Sequence, residues 1–285
     1  MKSRSFFRED FNLRLTEEEF LKKLALDDYI GSNIIDFFRD GVSYLISRFK
    51  DLLLSFGHHD VRDDVKQIEH AFTEAERNHI EHRYLRYRDV LVRVPEGFTG
   101  DFLTYAIELN SIGRSIFGQI TELFTDYRTT MSVIISEPRK LESLVDLSSI
   151  YKMSADIREQ ISKRIARFHN NNLVARARLI TVLPRFGDSK ALIAEIKKLS
   201  KIVELSEIKK IEALVKDTIK LLDILEKQIK DGVIKEVSSR TIKNISDGAY
   251  ELARHVDQIV VFYYASLSLI GCCRLLFADL KELET

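Results

Sequence analysis

The sequence predicts an all-α protein, an elongated multi-helix bundle of long antiparallel helices, and three observations carry that expectation. Only three prolines and eleven glycines punctuate 285 residues, far below the roughly 12% that the two contribute on average, and a chain so rarely interrupted suits long helices. Apolar residues recur in alternating steps of three and four through several stretches, the period of one helix face. At 45% apolar residues the chain has enough to bury a continuous core.

The elements follow in order. After a polar arm, "TEEEFLKKLALDDYIG" begins with Thr16 as N-cap and Glu19 three residues later, a capping box, and ends at Gly31. Ser32 or Asn33 caps the next helix, in which Ile34, Phe38, Leu45, Phe49, Leu52 and Phe56 share a face, and Gly57 closes it. From Val61 the seam runs Val65, Ile68, Phe72, Ala75 and then His79 and His82, while Ile80, Tyr84, Tyr87 and Leu91 form a second stripe beside it. The histidines therefore fall at the margin of an apolar face. Val90, Val92 and Val94 alternate before the turn cluster "VPEGFTG", which predicts a short extended segment near 90–94.

A long helix follows on Tyr105, Leu109, Ile112, Ile116, Ile120, Leu123 and Tyr127, with Gly113 and Gly118 permitting close packing and Pro138 ending it. Pro138 to Tyr151 reads as a helix, and Ser154 caps another carrying Ile157, Ile161, Ile165 and Phe168 before "HNNN". Beyond Pro184, Leu192, Ile196, Leu199 and Val203 form a seam. It resumes at Ile208, Ile211, Val215, Thr218, Leu222, Leu225 and Ile229 after a skip at Ser206, which fits either two helices or one with a discontinuity. "KDG" at 230–232 stops this run, and the last helix spans about Asp247 to Leu280. Soft boundaries divide the chain into 1–57, an arm and amphipathic helix; 58–186, a helical bundle; and 187–285, a long-helix hairpin with a buried final helix.

Composition narrows the function. Lys plus Arg and Asp plus Glu both number 44, so no global field draws the chain to nucleic acid or anionic lipid. Glu9 and Asp10 interrupt the basic amino terminus before an apolar core of signal-peptide length forms. The run Ile259 to Cys273, which holds no charged residue, is 15 residues against about 20 for a bilayer crossing, and reads as a buried central helix with no transmembrane role. Cys272 and Cys273 are adjacent in it, with neither zinc nor CxxC spacing, and read as inert core thiols. No phosphate loop, nucleophile elbow or HExxH occurs, so no enzyme and no cofactor is expected.

Three patterns carry candidate chemistry. Glu76, His79 and His82 have helical spacing and could clamp an ion, but a di-metal bundle wants further carboxylates and a second Glu-x-x-His pair. Glu251 and His255 stand i, i+4 on another helix, a different geometry. Arg158, Lys163, Arg164, Arg167, Arg176, Arg178 and Arg185, against the single acid Glu159, could bind phosphates. Phe37, Phe38, Tyr44, Phe49 and Phe56 offer an aromatic face to a partner subunit or to the protein's own bundle.

The polar arm, the Phe-rich helix "NIIDFFRDGVSYLISRFKDLLLSFG" and the long charged helices after it resemble helical structural and internal head proteins of large tailed bacteriophages. The resemblance implies a non-enzymatic virion component, made in cytoplasm, that acts through protein–protein contacts in an oligomer or larger assembly. It supplies no site residue. Nucleic-acid binding through 158–185, and metal binding at Glu76, His79 and His82, are the alternatives.

Overall fold

The structure, a computed structural model, describes residues 32–56, 61–77, 91–94, 98, 100–137, 152, 154–157, 159, 178–181, 186–234 and 239–278. They form helices α1 (Ser32–Phe56), α2 (Val61–Arg77), α3 (Phe102–Ser136), α4 (Phe186–Ile202), α5 (Leu205–Lys230) and α6 (Ser239–Ala278), with strands β1 (Leu91–Val94) and β2 (Arg178–Thr181). The fold class is all-α, as expected. The predicted helix at Thr16, the helix between Pro138 and Tyr151, and the second aromatic stripe at Ile80, Tyr84 and Tyr87 lie outside the described residues.

α1–α2 and α4–α5 each act as one rod in two pieces, and with α3 and α6 they make a four-rod bundle. Side-chain contacts fix the direction of each rod. Arg39 pairs with Asp223 at 3.3 Å, Lys50 with Glu212 at 3.1 Å, Arg62 with Glu204 at 2.8 Å, and Glu69 with Lys197. Numbers rise along α1–α2 as they fall along α5–α4, so these rods are antiparallel. Asn110 Nδ2 donates to the Glu195 carbonyl at 2.8 Å, Arg128 meets Asp217 at 3.8 Å, and Gln228 Nε2 donates to the Ile135 carbonyl at 3.3 Å. α3 therefore runs parallel to α4–α5. Tyr127 Oη donates to the Ile245 carbonyl at 2.9 Å and Phe117 stacks edge-on against Phe262 with ring centroids 5.9 Å apart, so α3 and α6 are antiparallel. Phe49 against Tyr263 at 5.7 Å and Asp64 against Arg274 at 2.9 Å align α6 with α1–α2.

The rods thus form a ring in the order α3, α4–α5, α1–α2, α6, antiparallel across two seams and parallel across two. Expected antiparallel packing holds for half of the neighbours. Parallel neighbours need a connection that returns along the bundle. α3 ends and α4 begins at opposite ends, and the described part of their connection includes a helical turn at 154–157. At 35 and 40 residues, α3 and α6 extend roughly 50 to 60 Å at 1.5 Å per residue.

The core follows the predicted seams. Tyr105, Leu109, Ile112, Ile116, Ile120, Leu123 and Tyr127 are all buried, as are Leu192, Ile196, Leu199 and Val203 on α4, and Ile208 through Leu225 of the α5 seam. Helices from each of the three sequence segments contribute to one hydrophobic cluster. At the start of α3, Asp101 Oδ1 accepts from the Thr104 amide at 2.7 Å and satisfies an otherwise orphaned donor. Asp231 is the C-cap of α5, and Gly232 takes φ 69°, where a side chain would be strained.

Two boundaries differ from expectation. The α4–α5 break falls at 203–204, with Glu204 as N-cap and no side-chain cap bond, so Ser206 lies inside the first turn of α5. α6 begins at Ser239, eight residues before the expected Asp247. Its early turns are polar in sequence and gain their stability from packing, since Thr241, Ile245 and Ser246 are buried.

The extended segment expected near 90–94 is β1, and its partner is β2, inside "LVARARLITVL". They pair antiparallel with Leu91 opposite Thr181 and Val94 opposite Arg178. β1 also packs against α6. The ribbon lies at the end of the bundle where α2 and α6 finish and α3 and α4 begin.

Candidate functional site

A helix in a ring of four ordinarily keeps one face in water. α6 does not: Ile259 to Ser266 are eight consecutive buried residues. One turn earlier the same helix buries polar side chains, and these make the densest chemistry among the described residues. Glu251 is 8% exposed and His255 is fully buried. Their i, i+4 spacing puts both on one face, and the 154–157 turn covers that face with Ser154 and Ile157, each fully buried.

The contacts form a chain. Ser154 Oγ donates to Glu251 Oε2 at 2.6 Å and lies 2.8 Å from His255 Nε2. His255 Nδ1 is 2.7 Å from Gln258 Oε1. Arg254 Nη1 stands 3.4 Å from Glu251 Oε1, and its guanidinium lies 4.2 Å over the Tyr250 ring. Burying such groups is costly unless each donor and acceptor is matched, and the chain matches them.

Ser154 and His255 are within reach for nucleophile activation, but the roles are arranged differently. A catalytic base takes the serine proton while a carboxylate holds its far nitrogen. Here the carboxylate takes the serine hydrogen bond itself, an amide faces the far nitrogen, and neither serine nor histidine reaches solvent. The arrangement positions the 154–157 turn on α6. Ser154, expected as a local N-cap, has its hydroxyl directed to a helix about 100 residues away in sequence. The spacing of Glu251 and His255 was the visible half of this signal, and their partner could not be seen in the sequence.

The other candidates are distributed as follows. Phe49 is buried against Tyr263, within the protein's own core, and Tyr44 is half-buried. Phe37, Phe38 and Phe56 belong to α1, with side chains outside the described set. Glu76 lies in the last turn of α2, while His79 and His82 fall outside the described residues. Of the basic series, Arg178 sits on β2 opposite Val94; Arg158, Lys163, Arg164, Arg167, Arg176 and Arg185 fall outside the described residues. Among the described residues no group of three or more His, Cys, Asp or Glu is placed to hold a metal. A shallow, charged surface depression is lined by Arg39, Asp223, Glu226, Lys227, Lys230 and Asp231.

No protein-family model matches the chain, and neither the curated proteins nor the solved structures give a match.

α6 is long and apolar enough over Asn244–Arg274 to cross a membrane, yet 71% of its most apolar window is buried inside the bundle. A central core helix has that composition. Its thiols fit the same surroundings: burial pushes Cys272 up from 9.0 to about 11, opposed by a Ser268 hydrogen bond, and burial raises fully buried Cys273 well above its ordinary value. Only thiolate attacks electrophiles, so Cys272 in the folded protein is expected to alkylate about 100-fold more slowly at pH 8 than a thiol of pKa 9.0. Iodoacetamide rates before and after urea unfolding measure this, and equal rates would contradict it.

Charge on the bundle's outside is local. Hydrogen bonding from Lys216, then from Lys50, holds Glu212 below the usual carboxylate range. Its folded pKa is depressed, so its contribution is present above the unfolded value and is lost as pH falls through the folded one. Tyr263 is pushed up to about 12 by burial. Tyr105 is raised further by burial and then by Glu108, and its hydroxyl has no hydrogen-bond partner among the described residues.

Proposed function

We propose that the protein is a structural component that acts through contacts with other protein subunits. The observation that carries this reading is the construction of the bundle. Its rods, of which α3 and α6 are about 50 to 60 Å long, are tied by cross-rod ion pairs and hydrogen bonds along their length. Such pairs add little stability individually, but they fix direction and register. Outside the bundle, Leu54, Ile107, Ile224 and Val233 are 45–73% exposed, giving apolar contact points near the middle and both ends. A rod stiffened in this way and carrying apolar points suits a part in an assembly. The chemical groups at Ser154, Glu251 and His255 hold elements of the protein together, in keeping with that role.

Within this reading, the resemblance of the amino-terminal stretch to internal head proteins of tailed phages makes the assembly a virion. Capsid and tail genes beside the coding sequence would support it. Light scattering coupled to size-exclusion chromatography, over a range of concentrations and with candidate partners, tests the broader proposal. Concentration-dependent association or a defined complex is expected. A strict monomer that binds no protein would sink it, and salt-dependent retention of nucleic acid would move the reading to the basic 158–185 segment.

A further inference from the structure

We propose that the Glu251–Ser154–His255–Gln258 chain is a proton-operated latch, which holds the 154–157 turn on α6 most tightly while His255 is doubly protonated. Ser154 has one hydroxyl hydrogen, directed at Glu251 Oε2 over 2.6 Å; an ionised carboxylate can only accept it. Ser154 Oγ then offers His255 Nε2, 2.8 Å away, only a lone pair. Nε2 must carry a hydrogen to fill that contact. Gln258 Oε1, 2.7 Å from Nδ1, is likewise an acceptor, so Nδ1 carries one too. An imidazole with both nitrogens protonated is a cation, and its counter-charge is Glu251, reached through the serine hydroxyl.

The charged residues around the chain are consistent with this balance. On α6, Arg254 meets the other Glu251 oxygen and rests on Tyr250, and Asp247 stands one turn before Glu251. On the docked segment, Lys152, Asp156 and Glu159 are exposed, on the side away from Ser154 and Ile157. α1 and α3 also pack against α6, but Arg39, Lys50 and Arg128 are directed to α5, and Asp40, Asp51, Arg114 and Glu122 are exposed. At the distant end of α6, Asp64 of α2 is matched by Arg274.

Loss of the proton leaves one histidine nitrogen facing an acceptor lone pair. The docked state therefore holds that proton more tightly than the undocked state, whose histidine titrates at about 6.5. A group with its folded pKa raised contributes fully below the unfolded pKa, and the contribution is lost as pH rises through the folded pKa. Docking is thus strongest in mild acid. Alkaline pH loosens the turn, while Ile157 keeps an apolar contact at any pH. The 154–157 turn becomes the pH-responsive part of the described bundle.

Nitrogen-15 NMR of the imidazole side chains in the full-length protein tests this. The chain has seven histidines, and the His255 signal is identified by its displacement in Ser154→Ala. Both His255 nitrogens are expected to show imidazolium shifts at pH 7.5, with a midpoint at least one unit above about 6.5. Amide exchange of residues 155–157, corrected for the intrinsic rate, is expected to lose about tenfold in protection per unit of that elevation between pH 6 and pH 9. Glu251→Gln is expected to lower the midpoint. A neutral His255 at pH 7.5 overturns the proposal, because either Gln258 then presents its NH2 to Nδ1 or Ser154 donates to Nε2. A charged His255 with pH-independent protection overturns the latch while leaving the ion pair.

Discussion

Gly113→Val is expected to destabilise the protein by about 3 kcal/mol, the upper part of the range for overpacking a well-filled core, whereas Gly118→Ala is expected to stabilise it by about 0.5–1 kcal/mol. Both glycines stand inside α3, and in an exposed helix alanine would improve either. Packing separates them. A Cβ on Gly113 would lie 2.4 Å from Phe262 Cζ and 3.1 Å from Ile202 Cγ2; a Cβ on Gly118 would meet nothing within 4 Å. Phe262 is the far end of a side chain, but it is fully buried and stacked on Phe117, so it has little room to withdraw. The absent side chain lets α6 and the end of α4 approach α3 at one level. Gly113→Ala combines a propensity gain of about 1 kcal/mol with the same clash, and a smaller loss is expected. Urea unfolding followed by circular dichroism measures all three, and a Gly113→Val protein as stable as the parent would show that Phe262 yields freely.

The two glycines also show what could be read from the chain. Helical periodicity reports which residues of a helix face inward, and the Tyr105 to Tyr127 seam is buried as its spacing requires. It does not report which helix stands opposite, so Gly113 and Gly118 look alike in sequence. β2 was missed for the same reason: Arg178–Thr181, inside "LVARARLITVL", is extended because Leu91–Val94 pairs with it, a partner distant in the chain. The α4–α5 break was placed two residues late because serine is a strong N-cap, while Glu204 occupies the position without a side-chain cap bond and gains an ion pair with Arg62 instead. Rod directions depend on pairs such as Arg39 with Asp223 and Asn110 with Glu195, whose members are unremarkable alone. At the polar chain, the Glu251 and His255 spacing was legible and the role of Ser154 was not. A serine before a helical run looks like a cap until the residue it meets is known.

Glu251→Leu is expected to be the more damaging of the large substitutions, at about 3–5 kcal/mol, the cost of removing one partner from a buried charged cluster. The Ser154 hydroxyl would lose an acceptor at 2.6 Å, and His255 would lose the carboxylate that faces it through Ser154. Glu251→Gln retains an oxygen for Ser154 and is expected to cost less, about 1–3 kcal/mol for the weaker neutral bond. The decisive variant removes the whole chain. Ser154→Ala with Glu251→Leu and His255→Leu leaves no fully buried member of the chain unmatched, while Arg254 and Gln258 are partly exposed and can turn to water. Replacing a complete buried polar set by apolar residues of similar size is often close to neutral. The triple variant is therefore expected to lie within about 1–2 kcal/mol of the parent, well short of the sum of its single substitutions. Equilibrium urea unfolding of the singles and the triple, with unchanged dependence on denaturant as the check on two-state behaviour, decides it. Additive losses would mean that Ser154, Glu251 and His255 act independently; near-recovery would show that the cluster's cost lies in leaving it half made, and that its presence in the parent serves the control of docking more than stability.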